Sequence, residues 1–211
     1  MKRTHEEELA RLYQMEENER RLRSEGYRLI AGIDEAGRGP LAGPVYAAAV
    51  ILPEECVIEG LNDSKKLSEK RREELYDIII EKAVAYNIQS VSEKIIDEVN
   101  ILNAVFIAMN KASQALSPQP DYVLVDGNRI KDMIFPCETV VKGDSKSINI
   151  AAASILAKVS RDRYITEISD KYPEYNFAKH KGYGTKEHVE ALKKYGPCEI
   201  HRKTFLKKIL G

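Results

Sequence analysis

Three acidic positions stand at the ends of short apolar runs. Asp34-Glu35 follows Leu29-Ile30-Ala31-Gly32-Ile33 directly, and Asp126 follows Tyr122-Val123-Leu124-Val125. Asp144 follows Thr139-Val140-Val141 through a Lys142-Gly143 step. If these runs are strands of an open α/β sheet, their C-terminal ends carry the carboxylates to the edge where such sheets bind ligands. Close carboxylates repel and raise each other's pKa unless cations neutralise them. Hard oxygen donors suit Mg²⁺ or Mn²⁺, which keep waters and join substrate phosphates. A pair of such ions clamps the attacking and leaving oxygens of phosphodiester hydrolysis. Each position also has a plain structural use. Asp126-Gly127-Asn128 is turn chemistry, Asp144 can cap a following helix, and Asp34-Glu35 can open a surface loop.

Two Gly-rich segments add a second kind of chemistry. Gly37-Arg38-Gly39-Pro40 comes straight after the first carboxylate pair. Glycines beside an arginine let the backbone approach a ligand with N–H groups free to donate, or they simply turn the chain. The spacing matches neither a dinucleotide fingerprint nor a phosphate-binding P-loop. Lys179-His180-Lys181-Gly182-Tyr183-Gly184-Thr185 interleaves cations with an aromatic ring between glycines. Rings stack on bases or sugars and cations meet phosphates, although a Tyr packed into a turn is also common. Lys65 and Lys66, at a helix start, are further phosphate candidates. There is no G-x-S-x-G elbow and no H-E-x-x-H helix. His180, His188 and His201 lack zinc-like partners and read as surface or substrate-side residues.

The elements that must position these groups follow from the pattern. Leu29–Ile33 and Val45–Leu52 read as buried strands, with further strands near 87–91, 122–125 and 138–141. Helices are expected from Ser68 to about 85, from Asn100 to near 116, over about 147–168, and near 186–194 and 203–210. Residues 5–25 read as one charged helix, stopped by Gly26 and packed on the domain as an appendage outside its core. The expectation is an N-terminal charged helical extension over 1–26 and one α/β domain over 27–211, a mixed sheet flanked by helices.

Composition bounds the rest. The chain has 211 residues, 43% hydrophobic and 31% charged, enough to bury a core without staples. Three widely spaced cysteines give no disulfide framework, so a reducing cytoplasm is the expected location. No apolar run is long enough for a membrane span, and the first residues do not read as a secretory signal. Net charge is zero, but its halves differ. From Ser145 onward there are 14 basic and 7 acidic residues, against 19 and 26 before it. This suggests a cationic C-terminal face, with Lys158, Lys179 and Lys181 as phosphate contacts, or else a solvated helical surface.

With these motifs together, the chain resembles bacterial ribonuclease HII over about Tyr27 to Phe205. The matching pieces begin with Gly32-Ile33-Asp34-Glu35-Ala36-Gly37-Arg38-Gly39-Pro40-Leu41-Ala42-Gly43-Pro44-Val45 and Asn62-Asp63-Ser64-Lys65-Lys66-Leu67. Val125-Asp126-Gly127-Asn128, Lys142-Gly143-Asp144 and Ile150 to Val159 with Arg161-Asp162 follow, then His180 to Thr185. His201-Arg202-Lys203-Thr204-Phe205 is a variant of the family's His-Arg-Arg-Ser-Phe ending. The resemblance implies a ribonuclease H-like fold, a five-stranded mixed sheet with a C-terminal helical part. It implies a monomeric endonuclease, dependent on Mn²⁺ or Mg²⁺, that cuts RNA in RNA–DNA hybrid duplexes. It also implies cutting of ribonucleotide-containing DNA on the 5′ side of a single embedded ribonucleotide, leaving 3′-hydroxyl and 5′-phosphate ends. Asp34, Glu35, Asp126 and Asp144 match the family's metal-binding carboxylates. Gly37, Arg38 and Gly39 match its 2′-hydroxyl-reading turn, and Tyr183 its junction-reading aromatic. The alternative is a non-catalytic hybrid-binding protein of the same fold, which the presence of all four carboxylates disfavours.

Overall fold

The computed structural model describes residues 4–210. Val45–Ile51 is apolar at nearly every position because it lies in the middle of a sheet covered on both sides. The strands are β1 (Ile30–Ala36), β2 (Val45–Ile51), β3 (Ala85–Val91), β4 (Tyr122–Asp126) and β5 (Cys137–Val140). They form one sheet in the order β3-β2-β1-β4-β5. β1, β2 and β3 run antiparallel as consecutive neighbours, while β4 and β5 add in parallel to β1. The mixed five-stranded sheet expected from sequence is therefore present.

The helices are α1 (His5–Met15), α2 (Glu17–Ser24), α3 (Glu69–Lys82), α4 (Glu93–Val99) and α5 (Ile101–Gln114), followed by α6 (Ile148–Ser169), α7 (Phe177–His180), α8 (Lys186–Tyr195) and α9 (Lys203–Leu210). Side chains alternate across β2. Ala48 and Val50 face α6 and α3, whereas Ala47, Ala49 and Ile51 face α5. α6 is apolar almost all round because it is enclosed on nearly every side. Its first turn lies directly against β1. A Cβ on Gly32 would stand 2.2 Å from the backbone of Asn149 and Ile150, so only glycine fits there. The Asn149 amide then ties the layers, donating to Ile30 O at 2.9 Å and accepting from Leu52 N at 3.0 Å.

Three local expectations change. Residues 5–25 form two helices that break at Glu16, not one. Their apolar stripe is part of the core. Leu12 and Met15 join the α6 side of the sheet, and Leu22 packs with Ile30, Leu124 and Ile150. The thin stripe looked insufficient because the surfaces that complete it come from other elements, Leu124 and Ile150 among them. Helix α4 is additional: its seven residues are too few for a helical period to stand out, and Asn100, at φ 68°, separates it from α5. Third, Ser147 rather than Asp144 caps α6, accepting from Ile150 N at 3.1 Å. No helix among the described residues is long and apolar enough to cross a membrane.

Candidate active site

The register of the sheet brings the first two acidic positions side by side. Ile33 pairs with Val125 across the parallel β1–β4 ladder, so Asp34 and Asp126 are the next residues on neighbouring strands. Lys142 then takes a left-handed conformation and turns the chain back, and Gly143 N donates to Asp126 Oδ1 at 2.6 Å. That bond ties the short turn carrying Asp144 to β4. Asp34 Oδ1 accepts from Glu35 N at 2.7 Å. Asp34 and Asp126 thus each have one oxygen fixed by backbone and, among the described residues, a second without a hydrogen bond.

The electrostatics record the convergence. Burial, then Glu35, Asp126 and Asp144, hold the Asp34 carboxyl well above the usual range. Burial raises Glu35 as well, with Asp126 adding to it and Arg38, 3.3 Å away, working against it. Asp144 is raised by burial, by Asp63 and by Asp126. For Lys65, burial opposes the charge, but Asp34, Asp63, Asp144 and Asp126 outweigh it and raise the ammonium pKa. One cation and a group of carboxylates therefore share a site. Asp63 was not singled out from the sequence. It accepts from Lys65 N at 2.9 Å and lies close enough to Asp144 to raise that carboxyl, and its place beside Lys65 was the available signal.

Among the described residues, no three His, Cys, Asp or Glu side chains form a ready-made metal cage. The donor set nevertheless fits a hard cation. Asp34, Glu35, Asp126 and Asp144 supply oxygens only, and Asp34, Glu35 and Asp144 are shifted toward the neutral form by burial and by one another. A divalent ion that keeps water and phosphate oxygens among its ligands needs no closed cage.

Two buried arginines build the turn beside this cluster. Arg202 donates to Gly37 O at 2.6 Å, to Arg38 O at 3.0 Å and to Gly43 O at 2.9 Å. Arg161 donates to Pro44 O, Ala42 O and Lys181 O at 3.1–3.2 Å. Both side chains are fully buried, and neither forms an ion pair among the described residues. In a trans peptide the C=O and the following N–H point opposite ways. By drawing the carbonyls of Gly37 and Arg38 inward, Arg202 aims the N–H groups of Arg38 and Gly39 outward. Neither N–H has an acceptor among the described residues. Gly37 has φ 98°, and a Cβ there would stand 2.2 Å from Arg161 Nε. The sequence carried Arg161 and Arg202 inside matching segments, but nothing in their spacing told of these bonds.

The remaining sequence candidates divide. Tyr183 is 43% exposed, and a Cβ on Gly39 would meet its ring at 3.7 Å, so the two Gly-flanked motifs adjoin. Lys158 Nζ lies 6.0 Å from that ring but is held by Asp162 at 2.8 Å. Lys181 Nζ is engaged by Thr166 at 2.6 Å, and Lys179 by Glu187 at 2.8 Å. The histidine reading is corrected. His180, His188 and His201 are buried together against Tyr175 and Phe177, not at the surface. Their ring nitrogens meet main-chain groups within five residues and, for His188 and His201, each other, none of which a scan for metal-ligand spacing looks for.

Comparison with known proteins gives the family and the fold. The family model described as ribonuclease HII matches residues 31–208. The chain is 61% identical to the ribonuclease HII of Caldicellulosiruptor bescii over 195 residues, 92% of this chain and 95% of that one. The crystal structure of ribonuclease H2 from Pyrococcus horikoshii superposes with a TM-score of 0.71 at 30% identity, over 86% of this chain and 96% of that chain. A ribonuclease HIII, Bst-RNase HIII, solved in complex with Mn²⁺, shares the fold with a TM-score of 0.59 at 17% identity, over 80% of this chain and 63% of that one. The chain belongs to the ribonuclease HII family and is a ribonuclease H enzyme acting on RNA–DNA hybrids.

Proposed function

We propose that this enzyme hydrolyses the phosphodiester on the 5′ side of a ribonucleotide, including one embedded singly in duplex DNA, and leaves 3′-hydroxyl and 5′-phosphate ends. The observation that carries the reading is the junction of two features. The mutually raised carboxylates of Asp34, Glu35 and Asp144 lie beside a turn with two outward, unbonded N–H groups. Asp34, Glu35, Asp126 and Asp144 would hold Mn²⁺ or Mg²⁺. When bound, such an ion neutralises the repelling carboxylates, polarises the phosphate and lowers the pKa of a water that attacks it. Lys65 adds positive charge where the phosphate must sit.

The N–H groups of Arg38 and Gly39 donate to the ribose 2′-hydroxyl, the one sugar atom that separates RNA from DNA. Tyr183, beside Gly39, covers the neighbouring deoxyribose, where an extra hydroxyl would crowd the ring. Lys158 and Lys181 meet backbone phosphates after exchanging their present partners, a modest and salt-sensitive contribution. The protein works as a cytoplasmic monomer, with residues 27–211 as the catalytic domain and 1–26 as its helical extension. The test is a duplex with one embedded ribonucleotide, incubated with Mn²⁺, with Mg²⁺ and with chelator, and the product ends identified. Metal-dependent incision 5′ of the ribonucleotide is expected. An all-DNA duplex cut equally well would remove the 2′-hydroxyl reading.

A further inference from the structure

Tyr183 stands at the end of a chain of buried hydrogen bonds whose proton positions can be read from its far end. Cys198 N–H can only donate, and it lies 2.9 Å from His201 Nδ1. That nitrogen must therefore carry a lone pair, and the proton of the neutral ring sits on Nε2. The Cys198 thiol, 3.1 Å from the same nitrogen, is pushed up to about 11 by burial and stays a weak donor that supports the same tautomer. His201 Nε2 is 3.0 Å from His188 Nε2, so His188 accepts there and carries its own proton on Nδ1. His188 Nδ1 is 2.9 Å from Tyr183 O and donates to it. One backbone N–H thus sets two imidazoles and fixes the carbonyl of the exposed tyrosine.

The surroundings keep both rings neutral. His188 and His201 are 0% and 2% exposed. Burial lowers both, His201 to about 4 with His188 adding to the effect. The groups packed on them are His180, stacked on His188 at 4.5 Å, the Cys198 thiol, and the rings of Tyr175 and Phe177. His180 is itself directed away, accepting from Gly182 N at Nδ1 and donating from Nε2 to Tyr175 O at 2.7 Å. The loop is tied elsewhere by Arg161 to Lys181 O, by Leu41 N to Gly182 O and by Tyr183 N to His180 O, and the relay adds its hold at the carbonyl of Tyr183 itself. Lys181 and Gly182 both have positive φ, and among the described residues Tyr183 O otherwise accepts only from Thr185 N at 2.8 Å.

We propose that His188 and His201 are positioning residues for Tyr183, a fixed-tautomer relay that sets the ring against Gly39 and so supports cutting at RNA-to-DNA junctions. The proposal rests on the junction-reading role given to Tyr183 above. Neither histidine touches substrate, so His201→Phe, two rings away from Tyr183, is the informative variant.

Two measurements test it. The first is ¹⁵N NMR of the imidazoles in the unaltered protein, which has only four histidines. Neutral His201 protonated on Nε2 and neutral His188 protonated on Nδ1 are expected, and either ring in the other tautomer overturns the relay. The second is the ratio of cleavage at an embedded single ribonucleotide to cleavage within a long hybrid, at a temperature where circular dichroism shows every variant folded. His188→Phe and His201→Phe should each lower the ratio roughly fivefold, the weight of one buried hydrogen bond. His188→Asn, which keeps an N–H near the lost Nδ1–H, should recover part of it. Adding His188→Phe to Tyr183→Ala should lower the ratio no further. Equal losses on both substrates, or additive losses in the double variant, overturn the positioning role. A Tyr183→Ala protein with an unchanged ratio removes the junction reading and the relay's purpose with it, while the NMR result separately reports whether the relay exists.

Discussion

The carboxylate edge of the sheet and the buried arginines and histidines of α6 and the chain after it solve the problem of buried polarity in opposite ways. At the edge, Asp34, Glu35 and Asp144 are brought together with Asp126, Asp34 and Asp126 each keep an oxygen without a hydrogen bond among the described residues, and the pKa values of Asp34, Glu35 and Asp144 rise. On the other side of the contrast, Arg161, Arg202, His188 and His201 are more deeply buried, yet main-chain groups and each other satisfy them. An unsatisfied polar site gives up stability and gains a place for a cation and phosphate. A satisfied one is rigid and holds loops still. In our proposal the enzyme places its chemistry on the first and its sugar reading on the second.

The largest test of the contrast lies at the edge. Asp34→Asn should lower metal-dependent cleavage at least about a hundredfold, as loss of a directly acting charged group does. Without metal it should raise the melting temperature, because a repelling charge is gone. A calorimetric melt that falls instead would mean that Asp34 is structurally satisfied, and the two regions would no longer differ. At the buried arginines the same kind of change should have the opposite sign. Arg202→Met leaves three carbonyls without their donor and should cost about 3–5 kcal/mol in chemical denaturation.

Glu19 sharpens the comparison from a third place. It comes from α2, is fully buried, and accepts from Ser147 Oγ and Asn149 N at the start of α6, while among the described residues its Oε2 has no hydrogen-bond partner. Burial raises its pKa from 4.5 to about 7. A raised carboxyl contributes stability that is full below about pH 4.5 and is lost as pH rises through about 7. Between pH 4.5 and 8 the wild-type protein should therefore lose on the order of 3 kcal/mol through this group. Glu19→Gln should not, and denaturation curves of the two proteins across that range compare them directly. Parallel pH profiles would show Glu19 to be ionised throughout. The smallest effect belongs to the exposed cations. Lys181→Ala should weaken hybrid binding by less than about fivefold and reduce the salt slope of affinity by about one.

Much of this protein could be read along the chain. The strands carrying Asp34 and Asp126 were legible because an apolar run and the acidic residue after it are neighbours in sequence, although β1 runs two residues past Asp34 to Ala36. Ser68 and Asn100 announced α3 and α5 for the same reason, since a cap acts within one turn. The segment from Gly32 to Val45 brought a carboxylate pair and a Gly-flanked turn together before any fold was known. Tertiary structure decided what depends on distant partners. The β1–β4 register sets Asp34 beside Asp126, and a long-range contact brings Asp63 to Asp144. Packing against α6 turned the stripe of α1 and α2 from an appendage into core. The fold also buried His188, His201 and Arg202, whose partners are main-chain groups or each other. Sequence spacing reports which side chains stand near one another along a helix or strand, and it carries no record of which carbonyl, up to 165 residues away, will face a given guanidinium.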